Sequence, residues 1–262
     1  MAKHKMKYEQ RTEGEFTYLA TGGGEQHVLL LHGLFGGLSN FKSFIQTFGK
    51  QYNVVLPNIP IFELPLDQVD LDGFVDHVRR FVEYKGYDKV HLVGNSLGGH
   101  IALLFALAMP ERVQSITLTG SSGLFESAMG NTYPKKGDYD YIRERTGTTF
   151  YDPALATKKL VDEVFDTVND RNKAIRILYT AKSALRYNLE DRIQGINIPV
   201  LLIWGKNDTI TPPFVAEKFN ELLPNSQLVW IDECGHAPMM EHPQLFNQHF
   251  ADFMQRQTAA AT

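Results

Sequence analysis

Two kinds of hydrophobic run alternate along the chain. Short unbroken runs occur at 27–31 (HVLLL), 53–56 (NVVL), 90–93 (VHLV), 113–118 (VQSITL), 199–204 (PVLLIW) and 227–231 (QLVWI). Their length and continuity are those of strands buried on both faces. Between them apolar residues recur at helical spacing. Val69, Leu71, Phe74, Val75, Val78, Phe81 and Val82 predict a helix over 68–84. Residues 101–109 (IALLFALAM) predict a buried helix that Pro110 stops, and further helices are expected at 213–223 and 242–255. Residues 15–20 (EFTYLA) read as a strand, and a helix is expected to begin at Ser39 or Asn40. Gly22-Gly23-Gly24 precedes a strand and lacks a following Lys-Ser/Thr, so it reads as a hairpin turn rather than a phosphate loop. Met1–Tyr8 and Thr258–Thr262 read as loose ends.

The alternation stops between Phe125 and about Gln194. Leu160, Val161, Val164, Phe165 and Val168 form one helical stripe, expected to start at Asp152-Pro153. After Asn169-Asp170, a second stripe runs through Ala174, Ile175, Leu178, Tyr179, Ala181 and Leu185. The expected organisation is an α/β core formed by 1–124 and 195–262, with a helical lid at 125–194. Strands alternating with helices call for a mostly parallel sheet covered on both faces, and ligands of such sheets bind beyond the carboxyl ends of the strands. The loops at 32–37, 94–98, 120–123, 204–212 and 232–238 all lie at such ends.

Composition narrows the class. The 262 residues are 43% hydrophobic, enough for one large core, and the net charge of −4 comes with no basic stripe, so no nucleic-acid partner is expected. No apolar run reaches the roughly 18 residues of a membrane span, so no membrane partner is expected. Lys3, Lys5, Lys7 and Arg11 are followed by no apolar run, which speaks against a secretory signal. Cys234 is the only cysteine, excluding an intrachain disulfide and a cysteine-rich zinc site. Asp67, Asp70 and Asp72 do not match a calcium loop and read as acids at a helix start. The expectation is a cytoplasmic monomer or homodimer acting on a small molecule, with no metal or cofactor.

Candidate chemistry begins at Gly94-Asn95-Ser96-Leu97-Gly98, between a predicted strand and a predicted helix. That setting suits a sharp elbow that lifts the Ser96 hydroxyl above the sheet while two glycines let the backbones pass. A serine hydroxyl needs a base, and the base needs an orienting acid. Of nine histidines, His236 in Gly235-His236-Ala237-Pro238 follows the last strand and is the candidate base. His32 and His100 stand near the site and read first as packing groups. Asp208, in Gly205-Lys206-Asn207-Asp208, is the favoured acid; Asp232 and Glu233 are rivals too close to His236 in sequence. The backbone N–H groups of Leu97 and Leu34 are the candidate oxyanion donors, with Phe35 second to Leu34. Phe35, Asn40, Asn95, Phe62 and Ala237 are candidate pocket residues.

These motifs, in the chain order Ser, Asp, His, resemble the α/β-hydrolase superfamily over about residues 15–256. The resemblance implies Ser96 as nucleophile, His236 as general base, Asp208 as orienting acid and a helical lid. Asn95-Ser96, Ser39-Asn40 and Phe150-Tyr151-Asp152-Pro153 also resemble meta-cleavage-product hydrolases, which split a C–C bond. That family carries Trp where this chain has Ala237, and a lid Arg at the position of Val164. The expected activity is therefore hydrolysis of small apolar carboxylic esters through an acyl-enzyme. The C–C hydrolase is the enzymatic alternative, and a receptor that retains the triad is the alternative of another class.

Overall fold

The computed structural model describes residues 8–125 and 136–260. Eight strands form one sheet: β1 (Glu9–Glu13), β2 (Phe16–Ala20), β3 (His27–Leu31), β4 (Asn53–Pro57), β5 (Val90–Asn95), β6 (Val113–Thr119), β7 (Val200–Gly205) and β8 (Ser226–Ile231). Their spatial order is β1-β2-β4-β3-β5-β6-β7-β8. β1 and β2 pair antiparallel, as do β2 and β4, and every other neighbour is parallel. The three glycines after β2 close no hairpin, because β4 lies between β2 and β3. β1 (EQRTE) has no apolar residue and escapes a hydrophobicity reading; Gln10, Arg11 and Thr12 are exposed on the edge it occupies.

The period of two along β3 sorts the core into layers. Val28 and Leu30 pack with Phe44, Phe48, Phe246 and Phe250, from α1 (Lys42–Phe48) and the last helix, α9 (Pro243–Ala260). Leu29 and Leu31 face the opposite layer, which holds Phe74 and Val78 of α2 (Leu71–Tyr84), Ile101 and Phe105 of α3 (Leu97–Ala108), and Phe219 of α7 (Pro213–Leu222). Asp70 caps α2, accepting the Gly73 N–H at 2.8 Å. α9 continues to Ala260, so the expected loose end from Thr258 is helical as far as it is described. Of Met1–Tyr8 only Tyr8 is among the described residues.

Three helices lie between β6 and β7: α4 (Tyr139–Gly147), α5 (Lys158–Asn169) and α6 (Arg171–Arg186). α4 (YDYIRERTG) shows almost no apolar stripe and was not foreseen. α5 starts at Thr157, whose side chain accepts the Leu160 N–H; the expected starter, Asp152, instead caps a 3-10 turn at Pro153–Leu155. The helices share a small core of Ile142, Val161, Val168 and Ile177. α6 is tied to the sheet layer: Ser183 Oγ accepts the Leu71 N–H at 2.9 Å, and Tyr187 Oη donates to Asp72. No helix among the described residues is long and apolar enough to cross a membrane.

Candidate active site

β5 ends at Asn95, and α3 begins at Leu97. The single residue between them, Ser96, has φ 54° and ψ −118°, a conformation that costs a non-glycine residue on the order of 1–3 kcal/mol. The surroundings hold it there. Ser96 N–H donates to Thr119 O at 3.2 Å, and Ser96 O accepts the Gly99 and Ser122 N–H groups at 3.0 and 3.2 Å. A Cβ on Gly94 would stand 2.6 Å from Gly98 O, and one on Gly98 would collide with the Leu31 carbonyl. Both glycines are therefore required by close backbone approach.

Asp208 and His236 are carried by the loops after β7 and β8. His236 Nδ1 lies 2.9 Å from Asp208 Oδ2, and both side chains are buried. A carboxylate only accepts here, so Nδ1 carries the proton and Nε2 is left with its lone pair. The carboxylate is fully engaged: Oδ1 accepts the Ile210 and Thr211 N–H groups at 2.8 and 2.9 Å, and Oδ2 also accepts Thr211 Oγ1–H at 2.8 Å. Thr211 was missed from sequence, although a hydroxyl three residues after an Asp is a recognisable local turn signal. The rival acids are placed elsewhere. Asp232 pairs with Lys206 at 2.6 Å, and Glu233 occupies a tight turn with φ 50°.

Ser96 and His236 line one cavity of about 520 Å³. Leu34 and Leu97 line it too, and neither N–H meets an acceptor among the described residues. Gly36 N–H to Gly33 O at 2.9 Å folds the loop after β3 into a turn that contains Leu34. His32 is buried there with Nδ1 2.8 Å from Gly33 O, and burial pushes its pKa below the ordinary imidazole value. Phe35, Asn40, Asn95 and Ala237 line the cavity. Asn95 is also a tie, since its Nδ2 donates to Thr119 O at 3.0 Å and His236 O at 3.2 Å. Asn40 Oδ1 accepts the Gly37 N–H at 3.2 Å. Phe62 is the exception. It is not among the lining residues and packs instead beside the small helical core, with Lys173 Nζ 5.6 Å from its ring centre.

The far wall comes from α4–α6, through Ile142, Thr146, Val164, Ile177 and Ala184. Among the described residues, Arg145 and Lys182 are the lysine and arginine side chains that line the cavity, and both are exposed at the rim. Ser122 lines the cavity, and its hydroxyl lies 3.3 Å from both Ser96 O and His100 Nδ1. His100 Nε2 is 2.8 Å from Tyr187 O, and burial pushes its pKa down to about 4, so it is neutral at pH 7. No pattern in the sequence brings Ser122, His100 and Tyr187 together, because the contacts span three distant segments.

A family model described as the alpha/beta hydrolase fold matches residues 26–243. The chain is 30% identical over 260 residues to a 2-hydroxy-6-oxononadienedioate/2-hydroxy-6-oxononatrienedioate hydrolase of Comamonas testosteroni, covering 90% of each chain. It is 27% identical over 278 residues to monoacylglycerol lipase ABHD6 of Bos taurus, covering 95% of this chain and 82% of that one. Among solved structures, it resembles MGS-MChE2, an alpha/beta hydrolase enzyme from the metagenome of lagoon sediments at Mar Chica, Morocco. The TM-score is 0.79 at 42% identity, with coverage of 95% of this chain and 99% of that one.

Proposed function

The chain belongs to the α/β-hydrolase family and is a hydrolytic enzyme, and on that premise we propose that it is a serine hydrolase cleaving esters of apolar carboxylic acids through an acyl-enzyme. The observation that carries the reading is the buried His236–Asp208 pair, 2.9 Å apart, on the same cavity as the elbow serine. His236 Nε2 takes the proton of Ser96 Oγ as that oxygen attacks the ester carbonyl. Asp208 holds the ring in the required tautomer and stabilises the imidazolium. The Leu34 and Leu97 N–H groups receive the negative oxygen of the tetrahedral intermediate. His236 then returns its proton to the leaving alcohol. Water, deprotonated by the same nitrogen, attacks the acyl carbon; as the second tetrahedral intermediate collapses, His236 passes that proton to Ser96 Oγ, releasing the acid and free Ser96. Helices α4–α6 serve as the lid that keeps bulk water from the acyl group.

The apolar far wall supports an apolar acyl group. A second reading, C–C hydrolysis of a dienoate, is favoured by the Comamonas relative's name. It would require a carboxylate held in the cavity, and the lining cations Arg145 and Lys182 stand at the exposed rim. Initial rates on p-nitrophenyl esters of increasing acyl length test the choice, with Ser96→Ala alongside. The expected result is Ser96-dependent turnover with a length optimum; faster turnover of a yellow dienoate than of any ester would move the assignment to C–C hydrolysis.

A further inference from the structure

Glu241 ends the short helix α8 (Pro238–Glu241) that follows His236, and it is not among the cavity-lining residues. Its carboxylate joins two segments that are far apart in sequence. Oε1 accepts the N–H of Gly235, the residue before His236, at 2.8 Å. Oε2 accepts the N–H of Tyr151 at 2.7 Å, in the stretch that leaves α4. Two further bonds follow the same seam: His236 N–H donates to Thr149 O at 2.8 Å, and Thr209 Oγ1–H donates to Thr148 O at 3.2 Å. A Cβ on Gly235 would stand 2.8 Å from Thr149 O, so the two backbones are in close contact. The base loop therefore rests against residues 148–151 as well as on its own strand.

The loop needs such support. Glu233, three residues before His236, has φ 50°, and Gly235 has no side chain with which to anchor its peptide. Charge-assisted bonds to both carboxylate oxygens are the strong kind, and they fix the Gly235 peptide next to the imidazole. We propose that Glu241 is a positioning residue for His236, holding the base loop against residues 149–151 so that the ring meets Asp208 and Ser96 together. The inference rests on the reading of His236 as general base.

The test compares wild type, Glu241→Ala, Glu241→Gln and His236→Ala, each assayed on p-nitrophenyl butyrate well below its own unfolding midpoint. The downfield proton NMR signal of the His236 Nδ1–H is recorded for the same proteins. Glu241→Ala is expected to lower kcat by about tenfold to a hundredfold, with KM within about twofold of wild type, and to broaden or abolish the downfield signal. Glu241→Gln keeps one acceptor but turns an amide donor toward the other N–H, so it falls between and remains informative if the alanine variant does not fold. Folded Glu241 variants with a lowered midpoint but wild-type kcat and an intact signal would overturn the proposal, leaving Glu241 a purely structural staple. His236→Ala separates the two failures. If it retains wild-type turnover, the base assignment itself is wrong; if it is inactive while both Glu241 variants match wild type, only the positioning role is wrong.

Discussion

The sheet apex and the helices above it meet at one cavity but are built by opposite means. At the apex, Ser96 sits between two glycines that tolerate no Cβ, and the flanking layers are aromatic: Phe44, Phe48, Phe246 and Phe250 on one side, Phe74 and Phe105 on the other. Among the described residues, helices α4–α6 share a core whose buried members are Ile142, Val161, Val168 and Ile177, and they leave Leu178, Tyr179 and Leu185 exposed. A close-packed interior holds reacting groups within fractions of an ångström. A thin core gives a wall that can be altered at little cost in stability. On the proposed function, geometry for chemistry belongs to the apex and selectivity for the substrate to the helices.

Substitutions should separate the two regions, and the largest effect is at the apex. Asp208→Asn keeps the shape but disturbs the tautomer that the carboxylate enforces on His236, and kcat should fall on the order of a thousandfold or more with the fold intact. Steady-state kinetics with circular dichroism check this. Next, Phe250→Ala should cost about 3–5 kcal/mol in urea unfolding. Val168→Ala, in the thin helical core, should cost about 1–2 kcal/mol. Equal losses at the two sites would erase the contrast.

Acid should weaken the sheet core through two buried histidines. Burial holds His91 and His100 at about 4, against an ordinary 6.5. Between those values the unfolded chain binds more protons than the folded one. Their contribution is therefore complete above pH 6.5 and is lost as pH falls toward 4, at about 1.4 kcal/mol per pH unit for each histidine. Urea midpoints measured at pH 7 and pH 5 check the sign; a midpoint that does not drop at pH 5 contradicts it. The smallest effect belongs to the rim of the helical wall. Leu185→Ala should change stability by no more than about 0.5 kcal/mol, while raising KM for long acyl esters more than for short ones.

What could be read from the sequence follows the same division. The turn at Ser96 and the two loops that bring His236 and Asp208 to 2.9 Å are legible because each is a local pattern at a strand end: Gly94-x-Ser96-x-Gly98, Gly235-His236 and Asn207-Asp208. Buried parallel strands are legible as unbroken apolar runs. β1 is hidden because an edge strand needs no apolar residue, and α4 because its helix buries little beyond Ile142, Thr146 and Gly147. The tie from Glu241 to Tyr151 spans 90 positions, and that from His100 to Tyr187 spans 87. Such contacts carry no local signature. Phe62 shows the converse: an apolar residue in a loop near the site, partly buried against both the sheet core and the small helical core rather than lining the cavity.

The most direct test of the account is intact-protein and peptide mass spectrometry of the enzyme quenched in acid during turnover of a slowly deacylated p-nitrophenyl ester. The account predicts a mass increase equal to one acyl group, located on Ser96 and missing from Ser96→Ala. Turnover without any acyl adduct, or an adduct of equal yield in Ser96→Ala, would contradict it.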